Sequence, residues 1–136
     1  MTAFIKKLVP VVQRDPRYAY EAYEFVFQAL EHTQKMLGRE PPGESVDPAD
    51  TSFHVTGRQL VEGICACARH EFGRMAGVVF RMWGIRRTDD FGEIVFNLIE
   101  AELMSRTPDD SRADFHALFD LDEALLDGFR IVLEEE

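Results

Sequence analysis

A chain of 136 residues that is 46% hydrophobic and 29% charged can bury one packed core, which excludes an intrinsically disordered protein. The length fits one helical domain over residues 1–136 and leaves too little chain for a second core. The formal net charge of −10 opposes general binding to nucleic acid, because the phosphate backbone carries charge of the same sign.

The N-terminal sequence indicates a cytoplasmic protein. It includes Lys6 and Lys7 but lacks the apolar segment and the small-residue cleavage site of a secretory signal peptide. Every apolar run is much shorter than the ~20 residues of a membrane-spanning helix. We therefore expect no membrane insertion.

Two helices are predicted in the first part of the chain. Residues 3–14 are amphipathic, but Pro10 lies among them and predicts a kink or an early stop, since proline removes one helical hydrogen bond. Asp15 and Pro16 then suit the cap and the first position of a second helix over about 17–37.

Residues 38–52 form the one clear loop of the sequence. Gly38 suits the end of the preceding helix, and the prolines and acidic residues that follow cannot form a packed core. We favour a variable surface connector over a functional flap. The next segment, 53–55, is compatible with a short strand.

The central part of the chain predicts two further helices. Thr56 and Gln59 have the spacing of a capping box, and the helix that they open is interrupted by Gly73. A shorter helix over 74–83 follows and ends at Gly84.

The C-terminal part completes a mainly α fold. Thr88 is predicted to cap a helix that is apolar on most of its surface and is therefore central. Thr107 and Asp120 repeat the cap pattern, the second before a helix over 121–127. The prediction is an irregular single-domain bundle of about six helices. Pairing of 129–133 with the earlier extended segment would add a minimal two- or three-stranded sheet.

The cysteines and histidines do not predict a metal site. Cys65 and Cys67 point to different sides of a helix, so they cannot form a disulfide with each other and are expected to be buried free thiols. Cys67 and His70 are helical neighbours and His54 could add a third ligand, but nothing in the sequence makes the three converge. We predict neither a metal nor a cofactor.

No catalytic residue is predicted, because the chain contains neither a nucleophile elbow nor a phosphate-binding glycine loop. Glu93 and Glu100 share one face of the central helix and are expected to pair with Arg86 or Arg87. At least one of these arginines is predicted to be a structural clamp on acidic residues of the same chain.

The charge is unevenly distributed along the sequence. Residues 57–87 contain six arginines and two glutamates, and residues 88–136 contain three arginines and fifteen acidic residues, giving net charges of +4 and −12. The two central helices have the order of a helix-turn-helix, but the second is too apolar to read DNA. We therefore disfavour a nucleic-acid partner.

Two functional hypotheses follow from these features. The leading one is a non-enzymatic protein-interaction module that self-associates, with apolar burial as the driving force and opposite charges selecting the partner. The alternative is a small-molecule-binding protein or an enzyme, whose ligand-binding site would combine His54, Trp83, Arg86 and Arg87.

Three segments of the chain, 15–33, 54–73 and 83–104, resemble a family of small uncharacterised bacterial proteins of similar length. The most specific stretches are HVTG and WGIRRTDDFGEIV. The resemblance implies a free-standing bacterial domain and brings no activity, cofactor or site residue with it.

Overall fold

The computed structural model describes residues 2–38, 55–104 and 111–126. The predicted mainly α class is confirmed. Within these ranges the complete helices are α1 Thr2–Arg14, α2 Tyr20–Met36, α3 Gly57–Phe72, α4 Ala76–Met82 and α5 Thr88–Glu100. Residues 121–126 are also helical (α6), and 3-10 turns cover Gly73–Met75 and Arg112–Phe115.

The two segments offered for a sheet fall almost entirely outside the described residues. Of these positions only Val55 is described, and no strand occurs in the three described ranges. The predicted 38–52 loop is likewise described only at Gly38. Within residues 2–38, 55–104 and 111–126, no helix is both long enough and apolar enough to cross a bilayer.

Helix α5 occupies the centre of the bundle, as its apolar pattern predicted. It packs against α1, α2, α3 and the 3-10 turn Arg112–Phe115. Its first residues and most of its length are buried, including the large side chains Phe91, Ile94 and Leu98 at 0% exposure. Helices α1, α2 and α3 therefore surround α5 together with this 3-10 turn, and the outward faces of the helices are the surfaces available for function.

Helices α2 and α3 lie side by side in antiparallel directions. Gly63 of α3 packs so closely on Thr33 of α2 that a Cβ at this glycine would overlap the threonine hydroxyl. Phe25, earlier in α2, contacts Phe72 at the end of α3, with ring centroids 5.4 Å apart. The late part of one helix thus faces the early part of the other.

The first helix continues through Pro10 to Arg14, so the predicted early stop is wrong. Leu8 and Val11, on either side of the proline, have exposures of 0% and 1%. Burial of such side chains is worth roughly 1.5–3 kcal/mol each. This packing outweighs the loss of one helical hydrogen bond.

The second helix starts at Tyr20, later than predicted, with Ala19 in the cap position and no side-chain cap bond. Asp15, the predicted cap, instead accepts hydrogen bonds from the side chains of Arg17 and Asn97. Its carboxylate is held by these partners rather than by the amides of a helix start.

The connectors α1–α2 and α4–α5 pack on each other. The Ala19 amide donates to the Trp83 carbonyl oxygen at 3.1 Å. Gly84 has a φ of +92°, and a Cβ at this position would overlap the Arg17 carbonyl oxygen. Glycine meets both requirements, since it adopts positive φ freely and lets two backbones approach.

Two predicted caps have different outcomes. The Thr56–Gln59 capping box forms as expected, with bonds of 3.1 and 2.9 Å. Thr88 is not a cap but the buried first residue of α5. Its hydroxyl donates to the Phe115 carbonyl at 2.8 Å and accepts from the Leu118 amide at 3.2 Å. A tertiary partner has replaced the local one.

Candidate functional site

An apolar surface lies along one side of α4. Met75, Val78 and Met82 are 55%, 38% and 77% exposed. Val78 and Met82 are four residues apart and share one face of α4, and Met75 ends the 3-10 turn that leads into the helix. We call these three residues the α4 stripe.

The opposite side of α4 is also apolar, and it is buried. Ala76 and Phe80 are each 1% exposed and point into the core. Between these two sides, Arg81 of α4 forms an ion pair with Asp122 of α6. Within residues 2–38, 55–104 and 111–126, the three stripe residues remain exposed, so the α4 stripe is an apolar surface that this part of the chain does not cover.

Trp83, at the end of α4, belongs to an aromatic cluster. Its ring is half-buried, and its centroid lies 5.6 Å from Phe25, 5.7 Å from Phe72 and 5.9 Å from Phe80. Such aromatic pairs add about 0.5–1.5 kcal/mol each beyond their burial. The cluster therefore fixes the orientation of α4 on α2 and α3, which points the α4 stripe outward.

Arg86 and Arg87 lie on the exposed connector between α4 and α5. Their backbone amides donate to the Asp90 carboxylate at 2.8 and 3.0 Å. Among the described residues, neither guanidinium forms an ion pair. The predicted guanidinium clamp is therefore wrong for the described residues: the two peptide amides bind Asp90, and both arginine side chains are exposed.

The predicted ligand site is only partly brought together. Trp83 and the two arginines share one connector, but the tryptophan ring packs into the aromatic cluster. His54 lies outside the described residues.

Other arginines form the pairs expected of Arg86 and Arg87. Arg17 and Arg112 both contact the Glu93 carboxylate, at 3.2 and 2.9 Å, and Arg14 contacts Glu100 at 3.3 Å. Arg17 also holds the pKa of Asp15 well below its usual range through side-chain hydrogen bonds. The arginine–glutamate partners are distant in sequence, so no local pattern could have identified them, whereas Arg17 and Asp15 are near neighbours in the chain.

This polar network is structural in character. Tyr18 donates its hydroxyl to Asp90 at 2.7 Å, and burial together with this bond raises the tyrosine pKa. Asn97 donates to the Tyr23 hydroxyl at 3.0 Å. Every buried side-chain polar atom in the described ranges has a partner. The network therefore fixes α5 against the first connector.

A groove of about 460 Å³ runs between α2 and α3, open to solvent. We call it the α2/α3 groove. Its walls are formed by Phe25, Gln28, Ala29 and His32 from α2, and by Ala66, Cys67, His70 and Glu71 from α3. Phe25, the buried Ala29 and the exposed Ala66 are the apolar part of the lining, and the other side chains add polar groups.

The groove brings Cys67 and His70 together with His32, a histidine that the sequence did not connect to them. Even so, the described residues contain no group of three potential ligands placed to hold a metal ion. Both cysteines are free, but only Cys65 is buried as predicted, and Cys67 is partly exposed. Burial raises the pKa of Cys65 to about 12, so its thiol stays protonated and is a poor nucleophile.

Comparison of the chain with protein families, with curated proteins and with solved structures finds no match. The resemblance to small bacterial proteins therefore stays a prediction from the sequence.

Proposed function

We propose that this chain is a cytoplasmic, non-enzymatic protein-interaction module that self-associates through the α4 stripe. The observation that carries the proposal is the exposure of Val78 and Met82 on one face of α4, and of Met75 just before it, while Ala76 and Phe80 on the other face are buried. Exposed apolar patches of this kind mark interaction sites.

The energetics predict a weak association. Complete burial of a Met or Val side chain is worth roughly 1.5–3 kcal/mol. The stripe residues retain 38–77% of their surface, so covering them adds at most about 5 kcal/mol. Association costs about 4–15 kcal/mol in lost freedom of motion. The complex should therefore depend strongly on protein concentration.

The charge distribution supports a second copy of the chain as the partner. The α4 stripe belongs to a segment with net charge +4, and residues 88–136 carry −12, so each copy offers both signs of charge. Complementary charges accelerate association and select the docking geometry. Because salt screens such interactions, self-association should weaken as ionic strength rises.

Sedimentation velocity across a wide protein concentration range tests the proposal. The wild type should show a sedimentation coefficient that rises with concentration, and Met82→Asp should abolish the rise. Val9→Asp is the matched control, because Val9 is 44% exposed but lies on α1, away from the stripe. A wild type that stays monomeric throughout, or equal loss in both variants, would contradict the proposal.

A second candidate is a small-molecule-binding protein or enzyme with a site at His54, Trp83, Arg86 and Arg87. The exposed guanidinium groups favour it, because guanidinium binds phosphate or carboxylate through paired hydrogen bonds. NMR titration with inorganic phosphate tests this idea. Saturable shifts around the connector that disappear in the Arg86→Gln/Arg87→Gln double variant would support it, and unsaturable shifts would count against it.

A further inference from the structure

We infer that the α4 stripe of one copy binds in the α2/α3 groove of a second copy. The inference rests on the proposed self-association and adds the surface that receives the stripe. A helix laid into a groove between two helices is a common way for helical proteins to bind each other.

The lengths of the two surfaces agree. The stripe runs from Met75 to Met82 and the α2 wall of the groove from Phe25 to His32, so each spans eight residues and seven residue-to-residue steps. At 1.5 Å of rise per residue each is about 10 Å long.

The side chains are complementary in size. The groove is lined by the buried Ala29 and the exposed Ala66, whose small side chains leave room between the helices. The stripe presents Met75 and Met82, and methionine is long, unbranched and able to fill irregular space. Large flexible groups thus face small ones, the arrangement that allows interdigitation.

The charges around the two surfaces have opposite signs. Glu71 lines the groove near Phe25, and Glu21 lies one helical turn before Phe25 on the same face of α2. The stripe is followed in the chain by Arg86 and Arg87, whose side chains are exposed. Docking of the stripe in the groove lets arginines of one copy approach carboxylates of the other.

The competing arrangement places the α4 stripe of one copy on the α4 stripe of the other. That interface would be isologous and would leave the α2/α3 groove empty. The two arrangements differ in whether a change in the groove affects association, and in what happens when variants are mixed.

A mixing experiment separates them. Ala66→Arg fills the groove and leaves the stripe intact, whereas Met82→Asp changes the stripe and leaves the groove intact. Ala113→Arg is the control for the groove variant, because this alanine is exposed on a different element, the 3-10 turn Arg112–Phe115. Circular dichroism verifies folding, and Gln28→Arg on the opposite wall serves as a second groove variant.

We expect Ala66→Arg and Met82→Asp each to remain monomeric when studied alone. When fluorescently labelled Met82→Asp is titrated with Ala66→Arg, its anisotropy should rise, because the mixture contains one intact stripe and one intact groove. The Ala113→Arg control should associate as the wild type does.

If both groove variants associate like the wild type while Met82→Asp does not, the inference is wrong and the proposed self-association stands. Failure of the two monomeric variants to bind each other would also overturn the inference. If the wild type itself never associates, the proposed function and the inference both fall.

Discussion

Arg17 holds the Asp15 carboxylate through two parallel hydrogen bonds, 2.8 Å from Nε and 2.7 Å from Nη2, in the connector between α1 and α2. The same carboxylate accepts a 2.9 Å bond from Asn97 on α5. One short connector is thereby attached to the central helix.

Replacing Asp15 with asparagine should reduce stability. The change removes the negative charge and one of the paired acceptors of Arg17. Hydrogen bonds to charged groups contribute about 1.5–3 kcal/mol, but the Arg17 side chain is 55% exposed and solvent weakens the pair. We expect a loss of about 1–2 kcal/mol in the free energy of unfolding, measured by urea denaturation. Arg17→Lys should lose part of the same free energy of unfolding, because lysine cannot donate two parallel bonds. An Asp15→Asn variant as stable as the wild type would show that the carboxylate does not attach the connector to α5.

The same pair predicts a dependence on pH. The side-chain bonds from Arg17 lower the Asp15 pKa in the folded state. Its contribution is complete above the unfolded-state pKa of about 3.9 and is lost as the pH falls toward the lower folded-state value. The stability gap between wild type and Asp15→Asn should therefore be constant from neutral pH to about pH 5 and narrow in stronger acid. A gap that stays constant in acid would show that the carboxylate has an ordinary pKa.

Thr88→Val should be destabilising although the two side chains have the same shape. The substitution leaves the Phe115 carbonyl and the Leu118 amide without their threonine partner. An unsatisfied buried group costs about 1–3 kcal/mol. We expect a loss in that range by urea denaturation, and a smaller loss in Thr88→Ser, which keeps the hydroxyl. Equal losses in the two variants would assign the effect to packing instead.

Gly84→Ala should cost more stability than Gly38→Ala. Both glycines have positive φ, +92° and +67°, so alanine is strained at either position. At Gly84 the new methyl also overlaps the Arg17 carbonyl oxygen, whereas no atom lies within 4 Å at Gly38. The strain alone accounts for about 1–2 kcal/mol, and we expect Gly84→Ala to exceed it clearly in thermal unfolding. Similar losses for both would mean that the connectors separate at little cost.

Much of the local structure could be predicted from the sequence. The Thr56–Gln59 capping box and the interruption at Gly73 involve residues no more than four positions apart. The apolar pattern of α5 likewise predicted its central place, because a helix that is apolar on most sides must be covered. These features depend on residues that are close in the sequence, so the sequence pattern predicts them.

The tertiary structure decided which partners the polar residues use. Arg17 contacts Glu93 across 76 positions and Asn97 contacts Asp15 across 82. Arg86, which is close to Glu93 in the sequence, does not pair with it. The α4 stripe and the α2/α3 groove also emerge only when helices pack, because the sequence of α4 is apolar on both sides and does not say which side is covered. The type of a charged or apolar side chain does not determine which other side chain it contacts. The geometry of the packed backbone determines which side chains come together.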